Sequence, residues 1–228
     1  MVRVIIPRPV GLIVKRVQDA VFSAVCLLLC SPFLLLIAAA IKLTSKGPIF
    51  FRQERLGYRG KTFSIFKFRT MVQDAERTGN IVHVSDPRIT GLGWYLRQYR
   101  IDEIPQFLNV LRGEMSIVGP RPLVPNFAHF WTAEERRRLD MPPGLTGWQQ
   151  VNGAATHSWD ERVAQDIWYV DHWSLWLDFK IMFRTPWVVL RANTVYGKDG
   201  QQLSAIPTQA LSSVPLPASS SESQEEKK

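Results

Sequence analysis

Asp102 and Glu103 stand side by side in Ile101-Asp102-Glu103-Ile104-Pro105-Gln106, and Arg121 follows between two prolines in Gly119-Pro120-Arg121-Pro122. An ionised carboxylate can attack phosphorus when nearby cations offset the charge on the phosphate oxygens. Arg121 suits that second task, because its flanking prolines stiffen the backbone and its guanidinium offers a planar two-point fork. Adjacent acids are common on protein surfaces, so position has to distinguish these. A helix is predicted over 103–111, closed by Arg112-Gly113, with Pro105 tolerated in its first turn. Asp102 then falls at the N-cap. There the helix dipole would hold it ionised by ~0.3–1 kcal/mol, and its lone pairs would suit a hard cation such as Mg²⁺.

Further cations must be brought in by other elements. Residues 49–69 read as a β-hairpin, with Gly57 and Gly60 in the turn. On its return arm Phe63, Ile65, Lys67 and Arg69 alternate onto one face, which sets two cations side by side. A helix is expected over 92–99 and carries Arg97. Trp159, Val163, Ile167 and Val170 recur at helical spacing with Asp166 at the edge of their stripe. The segment 72–86 is polar and loop-like.

Residues 21–41 form an uncharged run of 21 residues. As a helix this would be about 31 Å long, against a hydrocarbon core of roughly 30 Å. Charged chain resumes at Lys42 with no small-residue cleavage site, so the run is a membrane segment and not a signal peptide. Pro32 falls at its centre, lacks an amide hydrogen and pushes Ser31 away from helical geometry, which predicts a kink or break. The Ser31 hydroxyl can bond back to the preceding turn and make such a break tolerable in lipid. Arg3, Arg8, Lys15 and Arg16 precede the run, and Lys42, Lys46, Arg52 and Arg55 follow it. Cations on both flanks select no orientation for a spanning helix and suit a re-entrant hairpin with both ends on one face, although an ordinary kinked anchor also fits.

The net charge is +8 over 228 residues, and because the acidic tail contributes −1 the body is more basic still. Such a body favours phosphate-rich partners. Five of the eight tryptophans (Trp159, Trp168, Trp173, Trp176 and Trp187) crowd one late segment, which points toward a membrane interface and away from plain nucleic-acid binding. Over 174–191, Lys180, Arg184 and Arg191 share one face of an otherwise apolar segment, as in a helix lying in the bilayer surface. Cys26 and Cys30 fall inside the apolar run and behave as small apolar side chains in a reducing compartment. The resulting division is an N-terminal membrane segment over 1–45, a catalytic domain over 46–192, and a disordered polar tail over 193–228. The fold class is α+β and mainly helical.

The run 101–122, together with Lys67-Phe68-Arg69-Thr70-Met71, Pro143-Gly144-Leu145-Thr146-Gly147-Trp148 and Asp166-Ile167-Trp168-Tyr169-Val170, closely resembles the bacterial sugar transferases, the small monotopic phosphoglycosyl transferases. The resemblance extends over roughly 10–191. It implies a double displacement on the cytoplasmic face of the bacterial plasma membrane. Asp102 would attack a UDP-sugar and release UMP, and a polyprenyl phosphate would then take the phosphosugar from Asp102, opening lipid-linked glycan assembly. The same resemblance implies Glu103 as the second member of the dyad and Lys67, Arg97, Arg121 and Asp166 as polar site residues; Arg69, beside Lys67 on the hairpin, is a further candidate for substrate, and Asp102 is the candidate metal ligand. It matches Ser31-Pro32 to a re-entrant helix break and leaves a homodimer open. The sequence departs from the family at Tyr99-Arg100, where small hydroxyl residues are usual. Two rivals remain: a membrane-anchored basic module binding anionic lipid or nucleic acid, and a Mg²⁺-dependent nucleotide-sugar hydrolase with water as acceptor.

Overall fold

The computed structural model describes residues 8–73, 75, 82–83, 86–153, 157–191 and 201–202. A long helix α1 (Arg8–Thr44) leads into a hairpin of β1 (Phe50–Leu56) and β2 (Thr62–Phe68), followed by β3 (Val82–His83). Helix α2 (Gly91–Gln98), a 3₁₀ segment (Ile101–Gln106) and α3 (Phe107–Arg112) carry the acidic pair. Beyond them lie β4 (Ser116–Val118), α4 (Ala133–Arg136), β5 (Gly144–Thr146), α5 (Trp148–Val151), α6 (Trp159–His172), α7 (Leu175–Leu190) and β6 (Gln201–Gln202). The predicted mainly helical α+β class holds. The expected polar loop and tail fall largely outside the described residues, apart from β3 and β6, which pair antiparallel with each other.

The main core is built where α3, β4, α6 and α7 meet, around Val110, Ile117, Val118, Tyr169 and Ile181. The β1–β2 hairpin is antiparallel and pairs Phe50 with Phe68 and Leu56 with Thr62, as its glycine-bracketed turn predicts. Strands β4 and β5 are parallel, matching Ser116 with Gly144 and Val118 with Thr146. This pairing welds the two glycine-bearing motifs together: Gly119 N donates to Thr146 O at 2.9 Å and Gly144 N to Pro120 O at 2.9 Å. A Cβ at Gly119 would stand 2.2 Å from the Pro142 carbonyl oxygen, so only glycine lets the backbones approach this closely. Arg121 therefore leaves a rigid strand junction.

Two expectations about local structure are corrected. Of the kink or break expected at Pro32, the break is absent, since helix α1 runs through Pro32 as one element of 37 residues. The Leu28 carbonyl, which Pro32 cannot satisfy, accepts the Ser31 hydroxyl at 2.8 Å, and that local bond lets the helical path continue. Asp102 is not an N-cap. The capping position is Arg100, in a left-handed conformation (φ 57°), and Asp102 lies inside the 3₁₀ segment, with α3 starting only at Phe107. The predicted stop is correct, since Gly113 adopts φ 79° directly after α3.

Candidate active site

Asn109 is the residue that assembles the site. It is fully buried on α3, where its side-chain oxygen accepts Phe66 N at 3.0 Å and its amide donates to Ser64 O at 2.7 Å. These bonds fasten β2 against the dyad segment and carry Lys67 to Glu103, with Lys67 Nζ 2.7 Å from Glu103 Oε1. Arg121 Nη2 reaches the same oxygen at 3.0 Å, and Arg100 Nη1 approaches at 3.4 Å. Burial alone would raise the Glu103 carboxyl, but Lys67, Arg121 and Arg100 outweigh it and hold the group well below the usual carboxylate range. Glu103 is thus a fixed anion that organises three cations and a poor proton acceptor near neutral pH.

Asp102 sits in the opposite condition. It is buried, and among the described residues its Oδ1 has no hydrogen-bond partner. Burial pushes its carboxyl up to about 6, aided by the negative charge of Glu103 and opposed by Lys67, Arg97 and Arg100. A buried carboxylate oxygen left without a donor is an energetic liability in a resting fold. It is also an available lone pair, surrounded by positive charge that would receive a phosphate.

Of the other residues picked from the sequence, Arg97 acts on Asp102 through its charge. Arg69, by contrast, does not join Lys67 at the dyad. It turns to the C-terminal end of α1, where Nη2 donates to Ser45 O at 2.8 Å and Ser45 Oγ at 2.7 Å. Asp166 is buried on α6 and pairs with Arg138, whose Nη2 also lies 3.3 Å from the Arg121 carbonyl oxygen. Burial pushes Asp166 up to about 6 against the pull of Arg138. Asp166 thereby supports Arg121 from behind and does not itself touch the dyad. Sequence reasoning missed Asn109, Arg100 and Arg138. Arg138 is one of three consecutive arginines with nothing local to single it out. Arg100 was signalled only by its departure from the expected hydroxyl residue.

Among the described residues, no group of three His, Cys, Asp or Glu side chains is placed to hold a metal. Mg²⁺ fits here in one way. It commonly keeps water and substrate phosphates as most of its ligands and takes one or two carboxylates. The unpartnered Asp102 oxygen can serve as such a carboxylate, whereas Glu103 is already engaged by cations.

Residues 10–192 match the family model described as bacterial sugar transferase. An uncharacterised sugar transferase, EpsL of Bacillus subtilis (strain 168), is 42% identical over 180 residues, covering 78% of this chain and 88% of that protein. The UDP-glucose:undecaprenyl-phosphate glucose-1-phosphate transferase of Escherichia coli (strain K12) is 42% identical over 190 residues, covering 77% of this chain but 40% of that protein. The exopolysaccharide production protein ExoY of Rhizobium meliloti (strain 1021) is 39% identical over 194 residues, covering 78% of this chain and 86% of that protein.

Proposed function

The chain belongs to the bacterial sugar transferase family, and we propose that it moves a sugar 1-phosphate from a UDP-sugar to a polyprenyl phosphate at a membrane, releasing UMP. The observation that carries this reading is the contrast within the dyad: Glu103 is neutralised by three cations, whereas Asp102 keeps a buried oxygen with no hydrogen-bond partner among the described residues. Asp102 attacks the sugar-bearing phosphorus. An oxygen–phosphorus bond forms to Asp102, the bond to the bridging oxygen breaks, and UMP leaves with that oxygen. Arg121 and Lys67, held by Glu103, meet the charge on the phosphate oxygens. A phosphate oxygen of the polyprenyl phosphate then attacks the same phosphorus, the bond to Asp102 breaks, and the carboxylate is restored. Mg²⁺, with Asp102 as its protein ligand, would further offset diphosphate charge when bound.

The membrane placement is supported by the exposed apolar surface. Helix α1 is long and apolar enough to cross a membrane, and Leu28, Leu29, Leu35 and Leu36 are each at least 70% exposed. On α7, Trp176, Phe183, Trp187 and Leu190 are exposed as well. Both ends of α1 are fastened to the same catalytic body. Near its start Arg16 donates to Val110 O at 2.8 Å and Leu111 O at 2.7 Å. Near its end Ile37 and Ile41 pack with Phe68 and Leu96. A helix of about 55 Å held at both ends by one body fits a segment that dips into one leaflet from the cytoplasmic face better than one that crosses.

Two measurements test these statements. With radiolabelled UDP-sugar and no acceptor, the protein is expected to retain a covalent phosphosugar and to release UMP in a single burst. Polyprenyl phosphate should then chase the label into lipid. Release of free sugar phosphate to water without any retained label would instead make the chain a hydrolase. A panel of UDP-sugars in the same assay identifies the sugar. For topology, single cysteines at Gln18 and Lys46, in a chain with Cys26 and Cys30 changed to serine, are expected to react with an impermeant maleimide from the cytoplasmic side only. Labelling from opposite sides would establish a spanning helix.

A further inference from the structure

A cavity of about 300 Å³ opens between α1, α7 and the dyad segment, with Glu103 and Arg121 among its lining residues. Phe22 and Cys26 of α1 line one wall, and Met182 and Val189 of α7 line another. Gln150 of α5 also lines it, and among the described residues neither its amide nitrogen nor its amide oxygen has a hydrogen-bond partner, although both are shielded from solvent. Its side chain is held in close quarters, since a Cβ on Gly147 would stand 2.6 Å from Gln150 Oε1. Leaving the amide nitrogen of a glutamine buried and unmet is unfavourable unless a ligand accepts from it.

The walls decide which ligand. A UDP-sugar carries several hydroxyls and a uracil, more polar groups than Gln150, Thr146 and Thr185 can meet, and the rest would be stripped of water against Phe22, Met182 and Val189. An isoprenoid chain loses nothing there, and burying it is favourable by ~0.8 kcal/mol per methylene. The cavity is lined by both helices that carry the exposed apolar surface, and Arg100 and Arg121 add positive charge to the same lining. Glu103, and not Asp102, faces into this space.

On the basis of the transfer reaction proposed above, we propose that this cavity seats the phosphate-proximal end of the polyprenyl phosphate, and that Gln150 is a binding residue that donates to the acceptor phosphate. The acceptor thus approaches phosphorus from the Glu103 side, and the nucleotide-sugar occupies the other side of the dyad. One carboxylate marks the entry of each substrate.

Steady-state kinetics with both substrates varied test this. Gln150→Leu is expected to raise the KM for polyprenyl phosphate about tenfold, as loss of one charge-assisted hydrogen bond would, while the KM for UDP-sugar changes less than about twofold. Gln150→Glu, of equal size but opposed in charge to the phosphate, should raise the acceptor KM further than leucine does. Cys26→Trp fills the cavity from the α1 side and should reproduce the acceptor effect independently, in case a change at Gln150 disturbs folding. A rise in the donor KM with the acceptor KM fixed, an acceptor KM that moves in none of the three variants, or a Gln150→Glu protein with normal acceptor KM would each overturn the assignment. Because acceptor KM is read from turnover, it judges Gln150 whether or not the wild-type protein shows the UMP burst that the covalent mechanism requires.

Discussion

Asp102→Asn is expected to abolish turnover and, at pH 8, to make the fold more stable. Both results follow from one fact, a carboxylate held where a carboxylate is poorly accommodated. Asn cannot form the covalent bond to phosphorus, so UMP release and lipid product should both fall by about four orders of magnitude or more. The stability effect comes from linkage. In the unfolded chain an aspartate titrates at 3.8, whereas burial pushes Asp102 up to about 6. An acid whose folded value is raised binds its proton more tightly when folded, so its ionised form destabilises the fold increasingly as pH rises from 3.8 to about 6, and by a constant amount above that. A shift of roughly two units corresponds to about 3 kcal/mol. Part of this remains in the variant, because the amide also needs partners and Lys67, Arg97 and Arg100 lose an opposing charge. A gain on the order of 1–3 kcal/mol, a few degrees in melting temperature, is therefore expected at pH 8, shrinking to nothing at pH 4. The same titration governs catalysis. The donor half-reaction should be level above pH 6 and lose about tenfold per unit below it. Retained turnover would eliminate the nucleophile, and a variant less stable at pH 8 would show that Asp102 is not the strained group.

The contrast between the two carboxylates was hidden in the sequence, and the reason is physical. Their adjacency at 102 and 103 is local, and so are the glycines that turn the hairpin, the stop at Gly113 and the apolar stripe of α6. Each was legible because neighbours along the chain determine it. Which acid is clamped and which is bare depends in part on Lys67, 36 residues from Glu103, and Asn109 helps to hold Lys67 there by binding Ser64 O and Phe66 N. No spacing rule announces a buried asparagine that bridges a strand to a helix. The error at Asp102 has a related cause. The preference of aspartate for the N-cap is worth about 1 kcal/mol, less than the tertiary packing that tucks the 3₁₀ segment against β2 and puts Arg100 into a left-handed turn. Arg69 was misplaced because alternation along β2 reports a face but not where a long side chain ends. Its guanidinium follows Ser45 away from the dyad.

Asp178→Ala should be the most damaging change away from the dyad. Asp178, buried in the first turn of α7, accepts Lys15 Nζ at 2.6 Å, Tyr169 OH at 2.7 Å and Trp173 Nε1 at 3.1 Å. Beside it Asp19 accepts Ser116 Oγ at 2.6 Å and Ile117 N at 3.3 Å. This buried network joins α1 and α7 to β4, the strand that delivers Arg121 to Glu103. Alanine at 178 leaves the Lys15 ammonium buried, with Asp19 at 3.9 Å as its remaining ion-pair partner. Breaking a buried pair from one side costs about 3–5 kcal/mol, a large share of the 5–15 kcal/mol that holds a typical domain together. Replacing both members, Lys15→Met with Asp178→Leu, removes the orphaned ammonium and should recover part of the loss, because apolar packing substitutes well for a buried ion pair while Asp19 loses its charge contact with Lys15. Denaturant midpoints of Lys15→Met, Asp178→Leu and the double variant, with Asp178→Ala alongside, in one detergent give the coupling directly. If Asp178→Ala loses under about 1 kcal/mol, or the double variant is no more stable than Asp178→Ala, this pair does not hold the membrane helix to the catalytic body. If the double variant is stable but its kcat falls while both KM values hold, the network's contribution lies in aiming Arg121 through β4, and α1 serves as part of the catalytic framework as well as its attachment to lipid.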